Sequence, residues 1–164
     1  MSDFDTWRNE LIFVGNIVQD SDDSIEPEEA EKRFNRYIEM LDALKGTEGP
    51  KSALAIFESI QSLDDYGAYQ TAGHAAWRFG EELFCKSLIH ELPRLIQKLP
   101  DWAGDFLVSI ANGEGTEYDS TIHIFNRLLS DLPENEKSII KTYISGQEQD
   151  GWLENRIGVL GKNA

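Results

Sequence analysis

The sequence predicts an all-α protein, a single domain of about eight or nine helices stacked as antiparallel hairpins. Three observations predict it. Apolar residues recur every three or four positions in nearly every segment between residues 4 and 160, the period of a helix with one buried face. No segment of useful length alternates with period two, and Asn112-Gly113 is not flanked by strand patterns. Prolines, glycines and acidic caps cut the chain into pieces of about a dozen residues, and helices of that length joined by short loops must neighbour one another antiparallel.

The elements follow in order. Residues 4–18 carry Phe4, Trp7, Leu11, Val14 and Val18 on one helical face. Pro27, tolerated in a first turn, opens a second helix with Phe34, Tyr37, Ile38, Leu41 and Leu44, and Gly46 is expected to end it. Pro50 opens a third, carrying Leu54, Phe57, Ile60 and Leu63. Asp64 and Asp65 can cap a fourth over 66–79, which includes Tyr66, Tyr69 and Trp77. A fifth spans 81–92, where Pro93 should kink or break it, with a short continuation to Leu99. A sixth covers 101–112, with Trp102, Phe106, Leu107 and Ile110. A seventh covers 119–131, an eighth 134–145, and a last one about 150–160 with Trp152, Leu153, Ile157 and Leu160. Residues 1–49 read as an N-terminal helical pair and 50–164 as stacked hairpins, in the manner of HEAT-like α-solenoids. Trp7, Trp77, Trp102 and Trp152 all fall at apolar positions and read as core, with Trp102 largely buried.

Charge narrows the function. The chain has 164 residues with 30 acids against 15 bases, a net charge of −15. Nucleic acid and anionic membrane both require lysine and arginine stripes, so neither is an expected partner. No apolar run is long enough to cross a bilayer, and the start, Met1 to Asp5, has no basic region before an apolar core and so no signal-peptide pattern. A single cysteine, Cys85, fits a cytoplasmic setting.

Several chemical motifs fall short. Residues 20–31, "DSDDSIEPEEAE", hold seven acids in twelve and place Asp20, Asp22, Ser24, Glu28 and Glu31 at the ligand positions of a calcium loop. The sixth position, where such a loop needs glycine, is Ile25, and the eighth is Pro27. The stretch reads instead as a solvated loop followed by acids that complement the dipole of the second helix. His74, His90 and His123 lie on three separate helices with no metal-ligand spacing. Nothing places Cys85 in basic surroundings or at a helix start, so a Cys85/His90 nucleophile pair has little support. No cofactor or metal site is expected. "EGTEYDS", residues 114–120, stands apart. It is the longest connection of the second half, and it surrounds Tyr118 with Glu114, Glu117 and Asp119, residue types suited to a protein contact.

Residues 64–112 run "DDYGAYQTAGHAAWRFGEELFCKSLIHELPRLIQKLPDWAGDFLVSIANG". With its Asp-Asp helix start, His74 and Phe79, "ELPRLI" and "DWAGDFLVSIAN", this block resembles the bacterial polymorphic-toxin immunity proteins, and in particular the all-helical immunity protein 30 family. The resemblance covers about residues 50–146 and includes the later "EKSIIKTYI". Where the family often has a basic residue before the Ile-x-Asn end, this chain has Ser109. The resemblance implies a non-catalytic protein that binds the C-terminal domain of a cognate toxin, often a basic nuclease delivered by contact-dependent inhibition or secretion, and blocks it in the cytoplasm. The acidic charge would then steer a cationic partner. The expected contact residues are Glu114, Glu117, Tyr118 and Asp119 with Glu81 and Glu82. Asp64 and Asp65 form a second choice. The expected state is a monomer or weak dimer. Two other readings stay open: a helical-repeat adaptor without a toxin, and a small hydrolase.

Overall fold

The structure, a computed structural model, describes residues 3–151, 156–162 and 164. Among these residues it contains eight α-helices and no strand, as the periodicity predicts. They are α1 (Phe4–Gly15), α2 (Pro27–Asp42), α3 (Pro50–Glu58), α4 (Ala68–Trp77), α5 (Glu81–Lys98), α6 (Pro100–Ala111), α7 (Asp119–Ser130) and α8 (Glu134–Gln149). Proline occupies the first turn of α2, α3 and α6, where its missing N–H costs no helical hydrogen bond.

Several boundaries differ from the apolar pattern, each for a local reason. The third helix stops at Glu58: the Ile60 N–H closes a tight turn on Phe57, and the Gln61 and Ser62 N–H groups go to the Tyr69 hydroxyl instead of to helical carbonyls; Ile60 is still fully buried. The fourth starts at Ala68, since Tyr66 (φ 51°) and Gly67 (φ 90°) stand in the left-handed region. The fifth runs unbroken through Pro93. The expected break there is overridden by packing. Leu88, Leu92, Leu95 and Leu99 form one buried stripe across the proline, and burying several leucines at ~1.5–3 kcal/mol each exceeds the ~3 kcal/mol that an interior proline costs. The eighth helix extends to Gln149. The ninth is absent over residues 156–162, which form turns and bends with Gly158 and Gly161 both at φ 77°; Trp152 and Leu153 lie outside the described residues.

The chain divides into two compact units, Met1–Ser87 and Leu88–Ala164, and the division falls inside α5. In the first unit α1 packs on α2 and α3, while α4 packs on α2 and α3. This is the contact pattern of two stacked helical hairpins. The N-terminal pair therefore shares a unit with α3 and α4.

The backbone of α1 approaches its neighbours closely. A Cβ at Gly15 would lie 2.6 Å from the Ser59 carbonyl oxygen and 2.9 Å from the Tyr37 ring, so no larger residue fits. Two buried tyrosines tie the region together. Tyr37 donates to Ser59 Oγ at 2.7 Å, the Ser59 proton being committed to Ile56. Tyr69 accepts from the backbone N–H groups of Gln61 (2.9 Å) and Ser62 (2.8 Å) and donates to the carbonyl of Gly15 at 2.9 Å. The two rings meet edge to face at 6.2 Å. Phe84, from the first turn of α5, stacks on Trp77 at 3.9 Å and meets Phe57 edge-on at 5.5 Å. Arg78 closes the end of α2 by donating to the carbonyls of Leu41 (3.2 Å), which also accepts from the Leu44 N–H, and of Leu44 (2.9 Å). Gly46 does not end α2 but lies beneath Arg78, where a Cβ would come within 2.0 Å of the Arg78 carbonyl oxygen.

In the second unit α6 packs on α7, and Phe106, Leu107, Ile110, Phe125, Leu129 and Ile140 are buried. Asn126 pins the segment after α8. Its amide donates to Val159 at 2.9 Å and accepts from the Gly161 N–H at 2.7 Å. Trp7, Trp77 and Trp102 are half-buried; the larger part of Trp102 is covered, as expected, although it does not reach full burial. The stripe of α6 is filled by Ala103, Phe106, Leu107 and Ile110, with Trp102 tilted against Phe106 at its margin.

Two outcomes follow from the buried tyrosines. Tyr69→Phe leaves two N–H groups and a carbonyl without their partner, so a urea melt should show a loss of at least ~2 kcal/mol, compared with ~1 kcal/mol for Tyr37→Phe. Burial raises the phenol pKa values of Tyr37 and Tyr69, and burial with the nearby Asp101 and Asp105 carboxylates raises Tyr143 to about 12. The folded values exceed the unfolded value of roughly 10. The stabilisation these groups supply is therefore complete below pH ~10 and is lost as the pH climbs above it, for Tyr143 through about 12. Absorbance at 295 nm should show these three tyrosines ionising late, together with the fall in melting temperature.

Candidate interaction surfaces

The two acidic segments of the first unit meet in one place. Gln19, at the end of the chain leaving α1, reaches the 63–66 loop with both ends of its amide. Its Nε2 donates to the Asp64 carbonyl at 2.8 Å, and its Oε1 accepts from the Asp64 N–H at 3.1 Å. Beside this pair the Asp20 N–H donates to the Tyr66 hydroxyl at 3.2 Å. Asp20 and Asp64 are exposed beside it, and Asp22 and Asp23 are exposed on the chain that follows Asp20. Asp65 is turned inward, and its Oδ2 accepts from the Tyr69 N–H at 2.7 Å. It thus satisfies a first-turn donor of α4, as expected of an acidic helix start. Within the cluster two apolar side chains project outward: Leu63 is 73% exposed and Tyr66 50%. The helical pattern assigns both to buried faces. The signal against that is the run Asp64, Asp65 and Gly67, turn-forming residues on either side of Tyr66.

Residues 20–31 do not form the geometry of a calcium loop. The Asp22 carboxylate is folded onto its own turn, accepting from the hydroxyl and the N–H of Ser24, and these bonds hold its pKa below the usual carboxylate range. Glu28 and Glu31 are carried away on α2. Among the described residues no group of three or more His, Cys, Asp or Glu is placed to hold a metal ion.

Glu81 and Glu82 occupy the first turn of α5, where negative charge complements the helix dipole. They belong to the first unit, and Glu114, Glu117, Tyr118 and Asp119 belong to the second. The 112–118 connection is a run of hydrogen-bonded turns. Thr116 N–H donates to Gly113, Asp119 N–H to Thr116, and Tyr118 N–H to the Thr116 hydroxyl. Gly113 is buried beneath it, with no room for a Cβ against the Tyr118 carbonyl. Asp119 serves this architecture. One oxygen accepts from the Gly115 N–H at 3.0 Å, and the other lies 3.1 Å from His123 Nε2. Glu114, Glu117 and Tyr118 are exposed, Tyr118 at 54%. A groove of about 620 Å³ borders the loop, lined by Glu114, Asp119, His123, Arg127, Ile157 and Lys162 among others. Its charges are mixed, so it does not present a single sign.

The remaining reactive groups, Cys85, His90 and His74, lie apart from these surfaces on α4 and α5. Cys85 is fully buried. His90 Nδ1 lies 3.1 Å from Glu91, whose second oxygen binds Arg94 at 2.6 Å. His74 is exposed on α4 and does not pack into its small-residue face. Among the described residues no helix is long and apolar enough to cross a membrane. No family model, curated protein or solved structure matches the chain.

The two roles within the 112–119 loop are separable. Asp119→Asn should raise amide exchange at Gly115 and Thr116, because it weakens the lock on the loop. Glu117→Lys should leave exchange and melting temperature unchanged. Equal effects of the two substitutions would show that Asp119 has no special structural part.

Proposed function

We propose that the protein is an immunity protein of the polymorphic-toxin type, a non-catalytic binder that neutralises a basic toxin domain. One observation carries the reading. In each unit an exposed tyrosine stands on a hydrogen-bonded loop among exposed carboxylates: Tyr66 with Asp20 and Asp64, Tyr118 with Glu114 and Glu117. Tyrosine supplies contact area at low entropic cost, and carboxylates around it select a cationic partner and speed its approach. The excess of 30 acids over 15 bases extends that field over the molecule. The resemblance of residues 50–146 to immunity protein 30 names the class of partner.

The test begins with the toxin domain encoded by the neighbouring gene. Cells producing that domain should die without this protein and survive with it, and the purified pair should form a stoichiometric complex. The association rate should fall by about tenfold or more between low and physiological salt, as steered encounters do. Unchanged killing and no complex would sink the proposal. The stacked hairpins of the first unit would then favour the helical-repeat adaptor.

A further inference from the structure

We infer that Leu63 and Tyr66 form an apolar knob by which the first unit seats in an apolar depression, edged by lysine and arginine, on a basic protein partner. This rests on the binder reading above and locates its contact. Leu63 and Tyr66 are 73% and 50% exposed; the unit's other strongly exposed large apolar side chain, Phe13 at 56%, has the Arg33 guanidinium over its ring. The knob is also held stiffly. Behind Leu63 the Gln61 and Ser62 N–H groups are fixed on the Tyr69 hydroxyl, and ahead of it Asp64 is fixed through both backbone groups on Gln19. The Tyr66 hydroxyl is held by the Asp20 N–H, and Asp65 anchors the loop to α4. A side chain already fixed in its bound conformation loses little entropy on docking.

Tyr66 is, among the described residues, the one non-glycine residue at positive φ, 51°. An aromatic residue gains nothing there from local conformational preference, and glycine or asparagine would suit the backbone better.

Charge selects the occupant. Residues 17–31 and 59–67 contain no lysine or arginine; Asp20 and Asp64 are exposed beside the knob, and Asp22 and Asp23 are exposed on the chain that follows Asp20. Arg33, on the neighbouring α2, is paired with Glu29 at 2.9 Å and lies over the Phe13 ring. A second copy of this chain would set the same carboxylates against each other, and nucleic acid or an anionic bilayer would be repelled. A basic protein surface fits all of these features.

The experiment uses the full chain and, as probe, the immobilised toxin domain of the neighbouring gene. Leu63→Ala and Tyr66→Gly should each raise the dissociation rate by about tenfold or more. Tyr66→Gly should melt close to the parent, because relief of the left-handed backbone offsets the loss of the exposed hydrogen bond from the Asp20 N–H. Asp20→Lys with Asp64→Lys should slow association by about tenfold at low salt and much less at high salt. Hydrogen exchange of the unaltered complex should show protection at residues 61–67, a readout that needs no substitution. Binding as tight as the parent's by both knob variants, with protection confined to residues 112–119, would overturn the knob and leave the immunity reading standing. No complex with the parent protein would overturn both.

Discussion

The end of α1 and the two residues following the α3 turn leave three backbone groups without a helical partner, the carbonyl of Gly15 and the N–H groups of Gln61 and Ser62. A single phenol takes all three. That constraint shapes the first unit. For the Tyr69 hydroxyl to reach the Gly15 carbonyl, α1 must lie close to α3, which the missing side chain at Gly15 permits. Ser59 must point its hydroxyl back at Ile56 so that Tyr37 can fill the space above it. Buried groups of this kind cost ~1–3 kcal/mol each when orphaned, a large share of the marginal stability of a domain this size. The arrangement therefore persists as a set or fails as a set. It also fixes the chain at residues 61–62, immediately before the exposed Leu63. The core of the unit and the geometry of its surface loop depend on one hydroxyl.

Helices were legible because their signal is repeated. Eight segments each show apolar residues at the helical period, and errors at single positions do not erase it. Boundaries were less legible because they turn on single contacts. After α3 the Gln61 and Ser62 N–H groups go to the Tyr69 hydroxyl, a contact that periodicity does not encode, and Leu63 and Tyr66 continue the apolar pattern past the point where the helix has stopped. Pro93 is the opposite case. A strong local breaker is overruled by a leucine stripe whose two halves remain in line, and the sum of four burials exceeds one lost bond and one clash. The tryptophans are an intermediate case. Their size lets them pack against a core without being wholly enclosed, as Trp77 does on Phe84 and Trp102 beside Phe106.

Acidic residues in this chain divide into two kinds that composition does not distinguish. Asp65 and Asp119 have oxygens on backbone N–H groups, and Asp22 on its own turn. They build loops. Asp20, Asp64, Glu114 and Glu117 are exposed on the loops so built. The sequence reading grouped Asp119 with Glu117 and Asp65 with Asp64, since adjacent acids look alike until their hydrogen bonds are seen. Residues 114–120 were legible as a connection of unusual composition, because length, glycine and tyrosine mark such a segment without any structure. Leu63 and Tyr66 were not legible as surface residues, because an apolar residue at helical spacing reads as core.

Charge and apolar exposure have different consequences for a binder, and this separates what each part of the surface can do. A net charge of −15 acts at long range; it speeds the approach of any cation and distinguishes one basic protein from another only weakly. Discrimination needs short-range fit, which requires side chains held in place before the partner arrives. Both ends of the Gln19 amide hold the backbone of one residue, Asp64, in the loop that also presents Leu63 and Tyr66. Solvation of the carboxylates alone would not call for that rigidity, since a loose acidic loop stays soluble and attracts cations equally well. A loop that is acidic, apolar at its tip and locked from both sides has the parts needed for recognition, with the charge setting the rate of encounter and the fixed side chains setting its lifetime.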